Sequence, residues 1–252
     1  MDDSALYARM YANVREFCRL MGGASPGARV VEFPGVVGAV APVTPHRSLF
    51  NSVAYDSAGE LEQALPRLAD VYAEAGVEAW TVWVPEADER AVELLAAAGH
   101  RIDGDPAVMC MELRDLKAPR PTDLDLDPDP QVSTLAELND AAYGTAPDMA
   151  RGLQSLPGVT LHIARLAGRP VSCVGTHDLD GDTCILYVAT LPEARGRGLA
   201  RKLMALALHE ARDRGATTTS LQATKLGYPV YAKLGYRDLG ALQMWERRKT
   251  GS

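Results

Sequence analysis

Apolar residues recur every three or four positions in two stretches of the chain, and each stretch is followed by the same order of elements. In the C-terminal half the stretch runs from Leu199 to Arg214, and its apolar positions are Leu199, Leu203, Leu206, Ala207 and Ala211. This spacing predicts a helix with one buried face, ending near Gly215. The strand-like run TTTSLQA follows. A short helix then begins at Pro229 and ends at Gly235, because Pro favours the first helical position and Gly the position after the last.

The N-terminal half repeats this order. Its apolar positions are Leu61, Leu65, Leu68, Tyr72 and Ala75, and the predicted helix ends at Gly76. The strand AWTVWV and a short helix over Asp88–Ala98 follow, closed by Gly99. The repeated order predicts one fold duplicated. Between the halves, Lys117–Pro130 is rich in Pro and Asp and predicts a linker, with a candidate first strand of the second domain at Leu124–Leu126.

Composition narrows the classes of protein to consider. The chain has 252 residues, 47% of them hydrophobic and 23% charged, which is enough apolar sequence for the cores of two domains. A net charge of -7 argues against nucleic acid as the main partner. The N-terminus lacks an apolar signal core and no run of about 18 apolar residues occurs, so we expect no membrane partner. The four scattered cysteines have no zinc-like spacing, which predicts reduced core thiols in a cytoplasmic protein and no metal site.

The clearest chemical signal lies between Cys184 and Ala211, where an apolar strand runs through a loop rich in Gly and Arg into the predicted helix. The N–H groups of a first helical turn and the helix dipole attract phosphate, and Gly lets the backbone come close to it. Four cations add positive charge there: Arg195, Arg197, Arg201 and Lys202. The loop fits neither the Walker A pattern nor the dinucleotide-binding GxGxxG pattern.

The loop does resemble that of a known family. Arg195-Gly196-Arg197-Gly198-Leu199-Ala200 matches the Q/R-x-x-G-x-G/A loop of the GNAT superfamily of acetyl-CoA-dependent N-acetyltransferases. The run from Leu186 to Thr190 is similar to that family's central strand, and Ser220–Thr224 to its next strand. Tyr231-Ala232-Lys233-Leu234-Gly235-Tyr236 is similar to its Tyr-x-x-x-Gly-Tyr/Phe segment, so the resemblance covers roughly residues 130–248.

The resemblance implies an α/β fold of two GNAT-type domains, each a mixed twisted sheet flanked by helices. We expect a degenerate GNAT-like domain over 1–116, the linker over 117–130, and an acetyl-CoA-binding domain over 131–248. In the N-terminal copy, Ser57 and Glu60 form a capping-box pattern where the phosphate loop should be. Counting back four residues from Gly99 gives Leu95, where the same count from Gly235 gives Tyr231. The N-terminal copy is therefore expected to bind no coenzyme.

The family also implies roles for particular residues. The backbone N–H groups of Arg195, Gly196, Arg197, Gly198, Leu199 and Ala200 would hold the pyrophosphate of acetyl-CoA, the co-substrate. The backbone of Val188, Ala189 and Thr190 would pair with the pantetheine arm, with an N–H near Val188 polarising the thioester carbonyl. Tyr231 would act as general acid to the departing thiolate, while a primary amine attacks the acetyl group directly.

Several points stay open at the level of the sequence. The acceptor is expected to be a small polar amine, and a homodimer is neither favoured nor excluded. His177, Asp178 and Glu193 are candidate general bases that fit solvated turn positions better. His46–Val53 is a candidate ligand contact in the N-terminal half, though a strand crossing with a polar loop explains this segment better. The alternatives to an enzyme are an acetyl-CoA-binding sensor and an interaction scaffold.

Overall fold

The structure is a computed structural model that describes residues 1–249, and the chain divides into two compact units. We call them the N-terminal unit (Val14–Pro106, Arg151–Ser155 and the chain from Gly240 onward) and the C-terminal unit (Met1–Asn13, Ala107–Ala150 and Leu156–Leu239). Both combine helices with a mixed sheet, so the fold class is mixed α/β. The first helix, α1 (Asp3–Gly22), contributes residues to both units.

The sheet of the N-terminal unit has the strand order β1-β2-β3-β4-β11, with β5 also paired to β11. Its strands are β1 (Arg29–Phe33), β2 (Val36–Val40), β3 (Ser52–Tyr55), β4 (Ala79–Pro85), β5 (Arg101–Gly104) and β11 (Arg237–Arg248). The pairs β1–β2 and β2–β3 are antiparallel, β3–β4 is parallel, and β4–β11 is antiparallel. The helices α2 (Ala58–Glu74) and α3 (Glu89–Ala97) precede and follow β4, and their apolar faces complete one buried core.

The C-terminal unit repeats this topology with the order β7-β8-β9-β10-β6. Its strands are β6 (Ala107–Glu112), β7 (Val159–Leu166), β8 (Arg169–Leu179), β9 (Asp182–Thr190) and β10 (Thr218–Ala223). Here β7–β8 and β8–β9 are antiparallel, β9–β10 is parallel, and β10–β6 is antiparallel. Its helices are α4 (Val132–Tyr143), α6 (Leu199–Asp213) and α7 (Tyr228–Leu234), and the short α5 (Asp148–Gly152) contributes residues to both units.

The helical periodicity is confirmed where the sequence showed it most clearly. All five apolar positions of the predicted stripe in α6 are buried, and the helix is followed by Arg214 as its C-cap and by Gly215 with φ of 104°. In α7 a proline lies in the first turn, and Gly235 closes the helix with φ of 114°. These caps follow from the conformational limits of Pro and the freedom of Gly.

The boundaries of the units differ from those expected from the sequence. Strand β6, inside the segment 1–116, belongs to the sheet of the C-terminal unit, whereas most of β11 belongs to the N-terminal unit. The last strand of each sheet thus comes from the other half of the chain. The candidate strand Leu124–Leu126 is reduced to an isolated antiparallel bridge between Leu126 and Ala164. The Arg165 N–H donates to the Asp125 carbonyl at 2.7 Å, and the leucine side chains pack against the core of the C-terminal unit.

Candidate active site

The N-terminus of α6 carries no capping side chain. Its N-cap is Gly198 with φ of 74°, and Gly196 has φ of 78°. A Cβ added at either glycine would meet no atom within 4 Å, so the left-handed backbone conformation, and not lack of space, favours glycine here. The first N–H to bond back into the helix is that of Lys202, which donates to the Gly198 carbonyl at 3.0 Å.

The N–H groups just before Lys202 remain available to a ligand. Those of Leu199, Ala200 and Arg201 have no backbone acceptor among residues 1–249. Together with the helix dipole they form an anion site, and the exposed Arg197 and Arg201 side chains add positive charge. The loop predicted to hold phosphate therefore has the donors and the charge that a phosphate group needs.

Two of the four predicted cations have protein partners instead. The Arg195 guanidinium donates from Nε to the Thr190 carbonyl at 3.1 Å and from Nη2 to the Ala142 carbonyl at 3.0 Å. Lys202 forms an ion pair with Asp123. The Arg195 side chain thus joins the end of β9 to the end of α4, a role that the sequence did not indicate.

One edge of β9 is open where the strand approaches this loop. Strand β10 pairs with β9 only from Asp182 to Cys184, and no described strand pairs with residues 185–190 on that side. On the other side, the pairing with β8 shifts register between Cys173 and Gly175, opposite Tyr187, whose φ is 54°. A left-handed tyrosine costs about 1 to 3 kcal/mol and persists only where neighbours hold it, often at functional sites. Free N–H and C=O groups on an open edge can bind an extended ligand as a further strand.

Buried polar groups hold the irregular backbone at Tyr187. The amide of Asn139 donates to the Tyr187 carbonyl at 3.3 Å and to the Leu135 carbonyl at 2.9 Å. The thiol of Cys173 donates to the same Tyr187 carbonyl at 3.4 Å. Burial raises the pKa of this thiol to about 12, so it remains a neutral donor. Asn139 was missed by the sequence analysis, although a polar residue at a position buried to 3% exposure is a signal for such a role.

These features surround one cavity of about 620 Å³ within the C-terminal unit. Of the candidate coenzyme-binding residues, all except Arg197 line it, and Tyr231 lines it as well. The cavity also includes Tyr143, the last residue of α4, whose hydroxyl donates to the Val188 carbonyl at 2.8 Å. The remaining lining residues are Ala142, Ala194, Arg201, Leu226, Gly227, Pro229, Val230 and Lys233.

Tyr231 lies on α7 and is only 8% exposed. Burial raises the pKa of its phenol well above 10, and the nearby Tyr143 raises it further, so the hydroxyl stays protonated. The Tyr231 and Tyr236 rings meet edge to face with centroids 6.0 Å apart. A Cβ on Gly227 would lie 2.8 Å from the Tyr231 ring, so the absence of a side chain there lets the ring pack against the backbone. Tyr231 is therefore a fixed, neutral proton donor at the wall of the cavity.

The candidate general bases lie elsewhere. Asp178 accepts hydrogen bonds from Thr183 at 2.6 Å and from Arg214 at 2.7 Å. Burial acts to raise the pKa of Asp178, but these hydrogen bonds outweigh it and the pKa is lowered. His177 and Glu193 do not line the cavity, and no Asp, Glu or His among the described residues does so. The structure therefore assigns no base to this site.

The N-terminal unit has a different helix entrance. The Ser57 hydroxyl accepts the Glu60 N–H at 3.3 Å and donates to the Glu60 carboxylate at 2.8 Å, so the predicted serine cap of α2 is confirmed. Leu95 is a fully buried core residue. Within His46–Val53, the side chain of Asn51 accepts the Ala41 N–H at 2.7 Å and donates to two loop carbonyls. Asn51 thus shapes its own loop, which accounts for the polar residue in this apolar stretch.

Residues 1–249 contain no helix that is long and apolar enough to cross a membrane. Among the same residues, no three His, Cys, Asp or Glu side chains are grouped as metal ligands would be. All four cysteines are buried and free, as expected for core thiols.

Comparisons with known proteins agree with this geometry. Residues 123–236 match the family described as "Acetyltransferase (GNAT) family". A GCN5-related N-acetyltransferase from Kribbella flavida has a TM-score of 0.66 at 19% identity, with 96% of each chain covered. One from Sphaerobacter thermophilus has a TM-score of 0.59 at 18% identity, covering 98% of this chain and 93% of its own. A tandem GNAT protein from the clavulanic acid biosynthesis pathway has a TM-score of 0.58 at 15% identity, covering 97% and 96%.

No curated protein matches the chain. At identities below 20%, these solved structures show a similar fold and no more. The family match covers the segment that contains α4, β9, α6 and α7. Over residues 123–236 the chain therefore matches the acetyltransferase domain of the GNAT family, a family that transfers acyl groups from acyl-CoA donors.

Proposed function

We propose that the chain is an N-acetyltransferase that moves an acetyl group from acetyl-CoA to the primary amine of a small polar acceptor by direct attack. One observation carries the proposal: a single cavity joins the uncapped N-terminus of α6, the open edge of β9 and the buried phenol of Tyr231. These are an anion site, an edge for an extended polar chain, and a proton donor, which are the three features that the parts of acetyl-CoA require.

Each group then has a defined task. The N–H groups of Leu199, Ala200 and Arg201 receive the pyrophosphate, and the open edge over 185–190 receives the pantetheine arm. The N–H of Val188 donates to the thioester oxygen, where negative charge develops as the amine attacks. Tyr231 donates its proton to the sulfur as it departs, and its raised pKa ensures that it carries that proton at neutral pH.

The test is a calorimetric titration of the full chain with acetyl-CoA, beside the variant Gly198→Glu. We expect one site per chain in the wild type and a loss of affinity of at least about a hundredfold in the variant, since a carboxylate at the helix N-terminus repels the pyrophosphate and a side chain at positive φ strains the loop. The matched control is Gly168→Glu, in the β7–β8 turn, where φ is 76° and an added Cβ also meets no atom within 4 Å.

The control carries the same charge and a similar backbone strain, so it should bind acetyl-CoA like the wild type. Absence of binding in the wild type would refute the acetyltransferase proposal and favour a scaffold. Two sites per chain would show that the N-terminal unit also binds coenzyme.

We also propose that the N-terminal unit is a degenerate GNAT-type copy. Its support is the shared topology of the two sheets: three antiparallel strands, a helix leading to a parallel strand, and an antiparallel strand from the other half of the chain. Ser57 caps the helix that corresponds to α6, and Leu95 stands where the other copy has Tyr231. The buried free thiols support a reducing compartment such as the cytoplasm.

A further inference from the structure

Tyr143 occupies an unusual position at the mouth of the cavity. It is the last residue of α4, its side chain is 49% exposed, and Gly144 with φ of 69° ends the helix directly behind it. Despite this exposure, its hydroxyl makes a directed hydrogen bond of 2.8 Å to the carbonyl of Val188. The ring is therefore held against the open edge of β9 and not left free in solvent.

The contact falls on the residue that the proposed function gives to the thioester. Val188 follows the left-handed Tyr187 on the unpaired part of β9. In a strand, the N–H and C=O of one residue point to the same edge. The Tyr143 ring thus borders the space in front of the Val188 N–H, where an acyl chain would extend beyond its carbonyl carbon.

A second contact fixes this wall. The Arg195 guanidinium bridges the carbonyls of Ala142, the residue before Tyr143, and Thr190, at the end of β9. The end of α4 is therefore attached to β9 at two points, one through each side chain. Movement of the ring away from Val188 would break the phenol hydrogen bond. It would also distort the end of α4, which the Arg195 guanidinium holds through the Ala142 carbonyl.

We propose that Tyr143 determines acyl-group specificity by limiting the donor to short acyl chains. The inference rests on the proposed function and assigns a residue to the selection of its donor. The exposed hydroxyl fixes the position of the ring, and the ring itself excludes longer chains by its volume.

The test needs no acceptor. The full chain and the variants Tyr143→Phe and Tyr143→Ala are titrated calorimetrically with coenzyme A, acetyl-CoA, butyryl-CoA and hexanoyl-CoA. Dividing each affinity by that for unacylated coenzyme A in the same variant removes any general effect on coenzyme binding. Since Tyr143 is half exposed, we expect both variants to fold, and Tyr143→Leu replaces Tyr143→Ala if the latter shows no cooperative melting.

In the wild type, the normalised affinity should fall by about tenfold or more from acetyl-CoA to hexanoyl-CoA, in line with the discrimination that one or a few methylenes give in a closed pocket. Tyr143→Phe should retain most of this decrease in normalised affinity because the ring remains. In Tyr143→Ala the decrease from acetyl-CoA to hexanoyl-CoA should be only about threefold or less. Equal affinities for all acyl chains in the wild type, or full discrimination in Tyr143→Ala, would overturn the inference while the proposed function stands. Failure of the wild type to bind acetyl-CoA would overturn the proposed function itself.

Discussion

Tyr231 and Tyr143 are two phenols on one cavity with different surroundings. Tyr231 is 8% exposed and Tyr143 is 49% exposed, and only Tyr143 has its hydroxyl bonded to a strand carbonyl. Because burial raises the pKa of the Tyr231 phenol, this group is protonated at neutral pH. A protonated phenol can donate its proton to a thiolate as the thiolate forms. The difference in burial is consistent with the proposed roles, in which Tyr231 donates the proton and Tyr143 forms the wall.

Replacing Tyr231 by Phe should lower kcat by about a hundredfold or more, the usual contribution of a positioned general acid. The affinity for acetyl-CoA should stay within about threefold, since the ring and its packing on Gly227 remain. The measurement is steady-state turnover with an acceptor from an amine screen, beside a calorimetric titration.

The matched control for this variant is Tyr236→Phe. Tyr236 is also buried, and its hydroxyl forms a hydrogen bond of 2.8 Å with Thr219, but it does not line the cavity. Its loss should lower the melting temperature and leave kcat near the wild-type value. Unchanged turnover in Tyr231→Phe would remove Tyr231 from the reaction and support the sensor alternative.

His100, in the N-terminal unit, predicts a dependence of stability on pH. It is 2% exposed, neither ring nitrogen has a hydrogen-bond partner, and it meets Trp80 edge to face with centroids 4.5 Å apart. Burial, and then the charge of Arg247, lowers its pKa from 6.5 to about 4. Between pH 6.5 and about 4, the His100 ring is protonated in the unfolded chain but remains neutral in the folded chain. Stability should therefore fall as the pH drops from 6.5 to 4, by about 3 kcal/mol in total.

The comparison with His100→Phe isolates this contribution from that of the carboxylates, which titrate in the same range. Urea unfolding at pH 7 and at pH 4.5 gives the free energy of unfolding of both proteins. The loss on acidification should be smaller in the variant, which keeps an aromatic ring against Trp80. An equal loss in both proteins would show that His100 is accessible to protons in the folded state.

At the scale of elements, periodicity and caps were sufficient for the helices. The stripe of α6, the serine cap of α2 and the glycine after α7 are local signals, and each was read from a few neighbouring residues. The turn between β8 and β9 is a further local feature, because Asp180-Gly181 is a turn pair in which both residues adopt positive φ. The residues predicted to line one site are brought together because they flank β9 and the helices that follow it.

The irregular part of β9 could not be predicted. Nothing in Tyr187 itself favours a left-handed backbone, and the conformation depends on Asn139 and Cys173, which are distant in sequence. The contact of Tyr143 with Val188 could not be predicted for a related reason, because the two residues are 45 positions apart in the chain. Local pattern was therefore enough to predict the loop at the start of α6 as a candidate phosphate site, whereas the walls of the cavity depend on the tertiary fold.

At the scale of the molecule, the exchange of strands links the two halves of the chain. The segment 117–252 lacks β6, which pairs with β10 over six residues, and the segment 1–116 lacks β11, the antiparallel partner of β4. The 117–252 fragment would leave the edge of β10 open, and its core would lack Met109 and Met111. The 1–116 fragment would leave the edge of β4 open and the core beside this strand incomplete. We therefore expect neither fragment alone to melt cooperatively when followed by circular dichroism.

The control is the full chain with a protease site inserted into Lys117–Pro130, cleaved after folding. Residues there are largely exposed, and the nicked protein should keep its cooperative transition because both exchanged strands are already in place. A cooperative transition of the isolated 117–252 fragment near the temperature of the intact chain would contradict a structural requirement for β6.

The same exchange of strands sets an order of events during synthesis on the ribosome. β11 follows every other described strand in the chain, so β4, with its run of buried Ala, Trp and Val side chains, emerges long before its antiparallel partner exists. The nascent chain must therefore carry an open apolar edge through the translation of the whole C-terminal unit, and open edges of this kind pair with other chains and aggregate. We therefore expect slow translation or scarce chaperones to cause misfolding of the N-terminal unit first, even though the proposed coenzyme site lies in the C-terminal unit.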